Sequence, residues 1–505
     1  MDRARDRKMI ESGFSRSYHK TASRSRRRQR DIASSLARIT PSLLMVMLAS
    51  IPLLFGAVQP GVWSSYAAAA AALFLFEMWR DGIDVGFIQG RWFLLSLGIF
   101  FVFTLLQAVP LPLWLLTFLA PASQQVFTQS STLLETDIAY HAVAYVPRAS
   151  LAWWFFLLGL LLFYCLLRQY LVGTRQLRIV VAVMMGVALL EGLYGLLQAL
   201  VPSLGVLWVD SARSYVGDAR GTFINRNHFA GFVEMVWPLG LGVILSLSQR
   251  WRENAWAGKY RKRLKVYLSS DQIGFLLFFS IALLFILLAL LFSKSRAGVI
   301  SAFVGLISFL LLVHLGGKKF STAAWVFTGL GVAFLLFYGN VIGFKVLIGR
   351  FLATDDNVGS RLNIWLNTLA IIKDHPLGIG LRNFATVFPV YNSPGLPGIK
   401  YIHAHNDYLQ LLAEAGWPGF IAMAGGFFAF LGRCVWRVRK AGRRLDPARF
   451  YIGIGAISGL ISIAFHSFFD FNLQIPANLL YFVVLLAIGG FCFRRDRSRM
   501  GGGSD

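Results

Sequence analysis

The chain has 505 residues, of which 56% are hydrophobic and only 14% charged, with a formal net charge of +25. A soluble protein of this length divides into several domains and carries about a quarter of charged residues, so the composition excludes that class and points to the bilayer. The excess positive charge does not point to nucleic acid, because no segment interleaves aromatic with basic residues.

The first forty residues are rich in Arg and Ser and have no apolar periodicity. They are expected to form a disordered cytoplasmic tail, 1–40. The basic stretch is too long for the n-region of a cleaved signal peptide, so the first span is expected to stay as an anchor. Apolar runs long enough to cross a bilayer then recur at Ser42–Val58, Val62–Met78, Trp92–Ala108, Leu151–Arg168, Arg178–Val201, Asn227–Ser248, Ile273–Phe292, Ala297–Leu315, Ala323–Phe337, Trp417–Trp436, Tyr451–Phe469 and Ile475–Phe493. Leu111–Ala120 is apolar but short and is interrupted by Pro110, Pro112 and Pro121. It reads as interfacial or re-entrant.

Alternate loops are basic: the N-terminal tail, Arg168–Arg178, Arg250–Lys265, Lys318–Lys319, Arg433–Arg449 and Arg494–Arg499. In Arg80–Arg91 the arginines are balanced by Asp81 and Asp84. This alternation is the positive-inside pattern, and it puts both termini in the cytoplasm. Basic loops of this kind also meet anionic lipid headgroups. The expected fold class is therefore all-α, a polytopic integral membrane protein of about 12 helices with a large external loop between helices 9 and 10. Residues 41–493 form the membrane domain, 338–416 its external loop and 494–505 a cytoplasmic tail. Cys165, Cys434 and Cys492 lie in or beside spans, so neither a disulfide framework nor a thiolate metal site is implied.

The largest hydrophilic segments, Pro110–Ser150, Pro202–Arg226 and Tyr338–Gly416, all fall on the outer side. Function is expected there, in four constellations. In Gly221–Gly231, Asn225 or Asn227 can cap a helix, leaving Arg226 and His228 at its positive end as an anion site. The competing reading is a capped helix with an interfacial arginine. In Phe292–Gly298 a very short turn holds Arg296 at the bilayer boundary. Its planar fork suits phosphate oxygens, whereas Lys294 is a point charge; both residues could equally be interfacial anchors. In Gly359–Lys373 a helix is expected from Leu362, Trp365, Leu366, Leu369 and Ile372. Ser360 would be its cap, and Arg361 would stand in the first turn, where a cation is disfavoured unless an anion is near. The glycines of His375–Phe384 are too sparse for a nucleotide loop.

The fourth constellation is His403-Ala-His-Asn-Asp-Tyr-Leu-Gln-Leu-Leu-Ala-Glu-Ala-Gly416. Gly416 and Pro418 mark a stop in a loop helix before the next span. With Asn406 as cap, Asp407 favours the helix dipole, and His405 sits just outside the helix start as a neutral general base. His403 and His405 could instead bind a metal, but no third ligand stands at standard spacing. Two solvated histidines are the plainer alternative.

On these residues the chain resembles the O-antigen ligase and Wzy-type O-antigen and exopolysaccharide polymerase superfamily. The match runs through His405–Gly416, the Asn-Arg-Asn-His core of Gly221–Gly231, Ser295–Gly298, Gly359-Ser-Arg361 with Trp365, and His466–Asn478. Arg382 stands where a glycine of Gly-x-Gly-x-Gly is expected. The resemblance implies a metal-independent, inverting, all-helical glycosyltransferase without cofactor, at the outer, periplasmic face of the bacterial inner membrane. Its donor would be an undecaprenyl-diphosphate-linked glycan. The acceptor would be another glycan for a polymerase, lipid A–core for a ligase, or a protein hydroxyl for an O-oligosaccharyltransferase. Membrane lipids and polysaccharide export and chain-length proteins are the implied partners; nucleic acid is not. His405 would deprotonate the acceptor, and Arg296 and Arg361 would stabilise the departing diphosphate. Asn225, Arg226, Asn227, His228, His403, Asn406, Tyr408, Arg382, Asp470 and Asn472 would bind substrate. Asn-Arg-Asn-His and Asp470-Phe-Asn472 look more like exopolysaccharide polymerases than ligases. A lipid-linked oligosaccharide flippase or transporter is the reading from another class, with Glu77, Glu191 and Glu234 the main acids in or near spans and no clear repeat.

Overall fold

The computed structural model describes residues 39–80, 82, 91–136, 139–207, 215–255, 271–318, 329, 356–392 and 401–494. The expected span Ala323–Phe337 and both tails fall almost wholly outside the described residues. The described residues are mostly helical, with one pair of two-residue strands. In order, the helices are α1 (Ile39–Leu53), α2 (Pro60–Arg80), α3 (Arg91–Leu106), α4 (Leu113–Leu119), α5 (Pro121–Leu133), α6 (Pro147–Tyr170), α7 (Thr174–Leu200) and α8 (Arg226–Ala255). They continue with α9 (Asp271–Phe292), α10 (Arg296–Leu315), α11 (Asp356–Asp374), α12 (Phe384–Tyr391), α13 (Asp407–Ala441), α14 (Pro447–His466) and α15 (Pro476–Cys492). Eight helices of the described residues are long and apolar enough to cross a membrane, and α1, α3 and α15 are shorter apolar helices. The protein is thus a multi-pass membrane protein, because backbone in hydrocarbon must bond to itself and a helix does so within one segment. The short run at Leu111–Ala120 resolves into a two-residue strand paired with Tyr140–His141 and the seven-residue α4.

Packing of this bundle depends on small residues, because lipid tails offer no hydrophobic penalty that would drive helices together. On α14, Gly455 and Gly459 stand one turn apart and face α8. A Cβ at Gly459 would lie 2.5 Å from the Met235 carbonyl oxygen, and one at Gly455 would meet that of Pro238. Gly159 of α6 rests in the same way on Ala67 of the polyalanine stretch of α2. Ser462 of α14 donates to the Ser301 carbonyl of α10 at 2.7 Å.

Helix α13 is broken where Gly416 and Pro418 predict a stop between the loop helix and the span: the backbone leaves helical geometry at Gly416, with φ 65° and ψ −179°. That conformation is essentially restricted to glycine. Carbonyls left open by the break are taken up by the 376–380 segment. Ile379 and Gly380 donate to Ala413 and Glu414, and Trp417 donates back to Pro376. Gln107 Nε2 closes the joint on the carbonyls of Leu377 and Glu414. The glycines of His375–Phe384 therefore serve close backbone approach: a Cβ at Gly378 would run into the Glu414 carbonyl.

Helix α11 corrects an expectation. It begins at Asp356, so Ser360 lies inside it and Arg361 stands in its second turn. Its buried residues are Ile364, Thr368, Ile371 and Ile372, whereas Leu362, Leu366 and Leu369 are exposed.

Candidate active site

The polar starts of α8 and α13, the second turn of α11 and the turn after α14 meet at one end of the bundle. Asp470 is the point where they converge. It is 1% exposed and accepts from Asn227 Nδ2 at 2.7 Å and from the Phe471 amide at 2.9 Å. His405 Nδ1 faces its Oδ1 across 3.5 Å, and Arg361 Nη2 faces its Oδ2 across 4.0 Å. The first distance is at the outer limit of a hydrogen bond, and Nδ1 makes no formed bond; catalytic contacts are commonly this long before substrate binds. Burial alone would raise the Asp470 pKa. The neighbouring His405, His228 and Arg361 outweigh it and hold the carboxyl well below the usual range. Asp470 therefore stays ionised. With Nδ1 turned to this carboxylate, Nε2 is left for a substrate.

Local geometry supports this placement. Asn406 caps α13, its side chain accepting from the amides of Tyr408 and Leu409 at 3.0 Å each. His405, the residue before the cap, has φ 50°, a left-handed conformation uncommon outside glycine and often found at functional sites. Asn406 Nδ2 also reaches the Phe468 carbonyl, and the Asp407 amide reaches that of Ser467. Asp407 itself accepts from Ser467 Oγ and the Leu473 amide. Tyr408 donates to the Ala464 carbonyl at 2.6 Å. The His405 segment and the Asp470 turn are thus tied together on both sides.

Phe471 is the apolar counterpart of Asp470, and the sequence reading passed over it. Its ring stacks on His403 at 4.2 Å and meets His405 and His228 edge-on at 4.8 and 4.7 Å. His403 also contacts the Gln410 amide through Nδ1. Burial, helped by the nearby Arg382 charge, pushes the His403 pKa down to about 3. His403 is therefore a neutral packing group at ordinary pH, and among the described residues no three His, Cys, Asp or Glu side chains are arranged to hold a metal ion.

Asn225, not Asn227, bonds the start of α8: its Oδ1 accepts from the Asn227 amide at 2.8 Å. That leaves the Asn227 side chain for Asp470. Arg226 turns the other way, to Asp218 at 2.6 Å, and Lys294 reaches the other oxygen of Asp218 at 2.8 Å. The Phe292–Gly298 turn docks beside it, with the Ala219 amide on the Phe292 carbonyl at 3.0 Å and Gly298 against Ala230 of α8. Ser295 caps α10 and leaves Arg296 exposed at its first position. The first turn of α8 therefore stands between two carboxylates, Asp218 with Arg226 and Lys294 on one side and Asp470 with Arg361 and His405 on the other. His228 is buried, 7% exposed, so the expected anion site at Arg226 and His228 is divided: Arg226 faces the polar side and His228 the Phe471 ring.

Arg382 and Asn472 support the site from behind. Arg382 has φ 63°, which explains why a glycine suits this position. Its guanidinium lies 4.0 Å over the Trp153 ring and its amide donates to Glu414 Oε2. Asn472 is fully buried and accepts from Asn478, which also holds the His228 carbonyl.

Residues 281–424 match the family model described as O-antigen ligase. No curated protein matches the chain. The matched stretch contains Arg296, Arg361, Arg382 and His403–Tyr408; Asn225–His228, Asp470 and Asn472 lie outside it. Through that stretch the chain is similar to the O-antigen ligase family, in line with the resemblance of its motifs.

Proposed function

We propose that the protein is a glycosyltransferase that takes a glycan from undecaprenyl diphosphate and joins it to another lipid-linked glycan, at the periplasmic face of the inner membrane. The observation that carries this reading is the meeting of His405, Asp470 and Arg361, brought from three separate segments to one end of the bundle. An acceptor hydroxyl placed at His405 Nε2 gives its proton to the ring, and Asp470 orients the imidazole and stabilises the imidazolium that forms. The oxygen then attacks the anomeric carbon, the bond to the diphosphate breaks with inversion, and the leaving group carries away the electron pair. A diphosphate leaves without a strong acid, but its growing charge needs cations placed beforehand, the role of Arg361 and Arg296. A protein in which these groups served only to flip the lipid would leave the glycan linkage unchanged. The matched family is described as a ligase, which keeps transfer to lipid A–core as the second reading.

The test uses purified protein in proteoliposomes with a polyprenyl-diphosphate-linked glycan. His405→Ala abolishes transfer with donor binding kept, and His403→Ala is milder. Arg361→Ala and Arg296→Ala each slow transfer by about 100-fold, and lysine at either position recovers only part because the fork is lost. Full transfer by folded His405→Ala, or by both arginine-to-alanine variants, sinks the reading. Chain growth on lipid-linked glycan, against transfer to lipid A–core, separates polymerase from ligase.

A further inference from the structure

We propose that Asn227, Gly231 and Glu234 form a positioning strip on α8 that sets the Asp470 turn against His405, with Glu234 acting through His466. The proposal rests on the reading of His405 and Asp470 given above. The three residues stand at i, i+4 and i+7, so they share one face of the helix over two turns. Each meets a different residue of the 466–472 turn. Asn227 holds the Asp470 carboxylate directly at 2.7 Å. Gly231 leaves room for Asn472, whose amide a Cβ there would strike. Glu234 grips His466 Nδ1 with both oxygens at 3.1 Å, and neither side chain is exposed at all.

His466 is the last residue of α14, and its carbonyl accepts the amides of Phe469 at 2.8 Å and Asp470 at 3.2 Å. Moving His466 therefore moves the backbone that carries Asp470. A buried pair of this kind is a poor way to gain stability, since apolar residues of the same volume do as well or better, but it does hold one register. The register matters here because the His405–Asp470 gap is already 3.5 Å. Neither residue touches the ring nitrogen left for substrate, so both are positioning residues.

The test measures initial transfer rates and donor KM in proteoliposomes, with thermal unfolding of the same preparations. Glu234→Ala lowers kcat by about 10–100-fold with donor KM within about threefold, the loss expected from a misplacement near 1 Å. Glu234→Gln, which still accepts from the ring, recovers most of that rate. Gly231→Ala gives the same kcat-selective loss by pushing Asn472. The double variant Glu234→Ala/His466→Ala is no slower than the worse single variant, because both act through one contact. Wild-type kcat in folded Glu234→Ala overturns the proposal. So does glutamine no better than alanine, or a rate loss that tracks only the fraction folded. If Glu234→Ala does not fold, Glu234→Gln and Gly231→Ala decide: wild-type kcat in Gly231→Ala overturns the strip. His405→Ala separates the two readings. Transfer surviving in it removes the base assignment, whereas a dead His405→Ala beside a full-speed Glu234→Ala removes only the strip.

Discussion

Asp470→Asn removes a charge and almost nothing else, which makes it the sharpest probe of the site. At 3.5 Å an imidazolium and a carboxylate attract by ~5 kcal/mol at an effective dielectric near 20. The His405 side chain is 28% exposed and Asp470 also faces Arg361, so water and the competing cation reduce the part felt in the transition state to ~2–3 kcal/mol. The expected result is kcat lowered by ~30–150-fold, at ~1.4 kcal/mol per tenfold. Asparagine also has one oxygen for the two donors, Asn227 Nδ2 and the Phe471 amide, so one local bond weakens, at about 1 kcal/mol. Asp407→Asn is the control: Asp407 is equally buried and holds Ser467 and Leu473, but it does not face His405. That variant lowers the thermal midpoint, with kcat per folded molecule falling far less than for Asp470→Asn. Rates are read as product formed per folded molecule in proteoliposomes. A kcat for Asp470→Asn within about threefold of wild type would refute the assignment of Asp470 as the orienting carboxylate.

Two further outcomes concern stability, read by thermal or denaturant unfolding of solubilised protein. Arg382→Gly relieves about 1 kcal/mol of left-handed strain and forfeits a cation–π contact of ~0.5–2 kcal/mol, so it stays within about 1 kcal/mol of wild type. Arg382→Ala keeps the strain, loses the contact and falls by ~1–2 kcal/mol; alanine proving the more stable of the two would contradict this. His403 binds no proton in the folded state until about pH 3, whereas the unfolded chain takes one below about 6.5. The unfolded state thus holds more protons in between, stability falls as pH drops through that window, and at pH 5 the loss is at most ~2 kcal/mol. His403→Gln flattens this acid dependence, and an unchanged slope in that variant would show that His403 is not its source.

Among the described residues the apolar helices were legible because the bilayer imposes one solution on the backbone, and long apolar runs announce it. Boundaries were less so. Gly359 and Ser360 look like a helix start, but Asp355, Asp356 and Asn357 just upstream offer the same signal, and the helix includes both later residues. On α11 the sequence offers apolar residues all round, so periodicity selected Leu362, Leu366 and Leu369, whereas packing against α13 and α12 buries Ile364, Thr368 and Ile371. The break at Gly416 was visible as a stop signal, but its repair by the 376–380 segment was not. That repair is made by backbone groups, which carry no sequence signature.

The candidate site shows the same division. His405, Asn406 and the cationic residues drew attention because polar side chains beside spans are costly unless something answers them. What answers them lies far along the chain: Asp470 for Asn227 and Arg361, Trp153 for Arg382, His466 for Glu234. Glu234 could be noted as an acid within a span, yet its partner is 232 residues away and no local spacing connects the two. Phe471 was invisible for the opposite reason, since one more phenylalanine among 44 carries no signal. Only its position, against three imidazoles at once, gives it meaning. A polar residue in an apolar run thus reports that a partner exists, and the helix face it shares with its neighbours narrows where that partner lies. Asn227, Gly231 and Glu234, spaced four and then three, already specify one face of α8, and the turn that docks there is the one that carries Asp470.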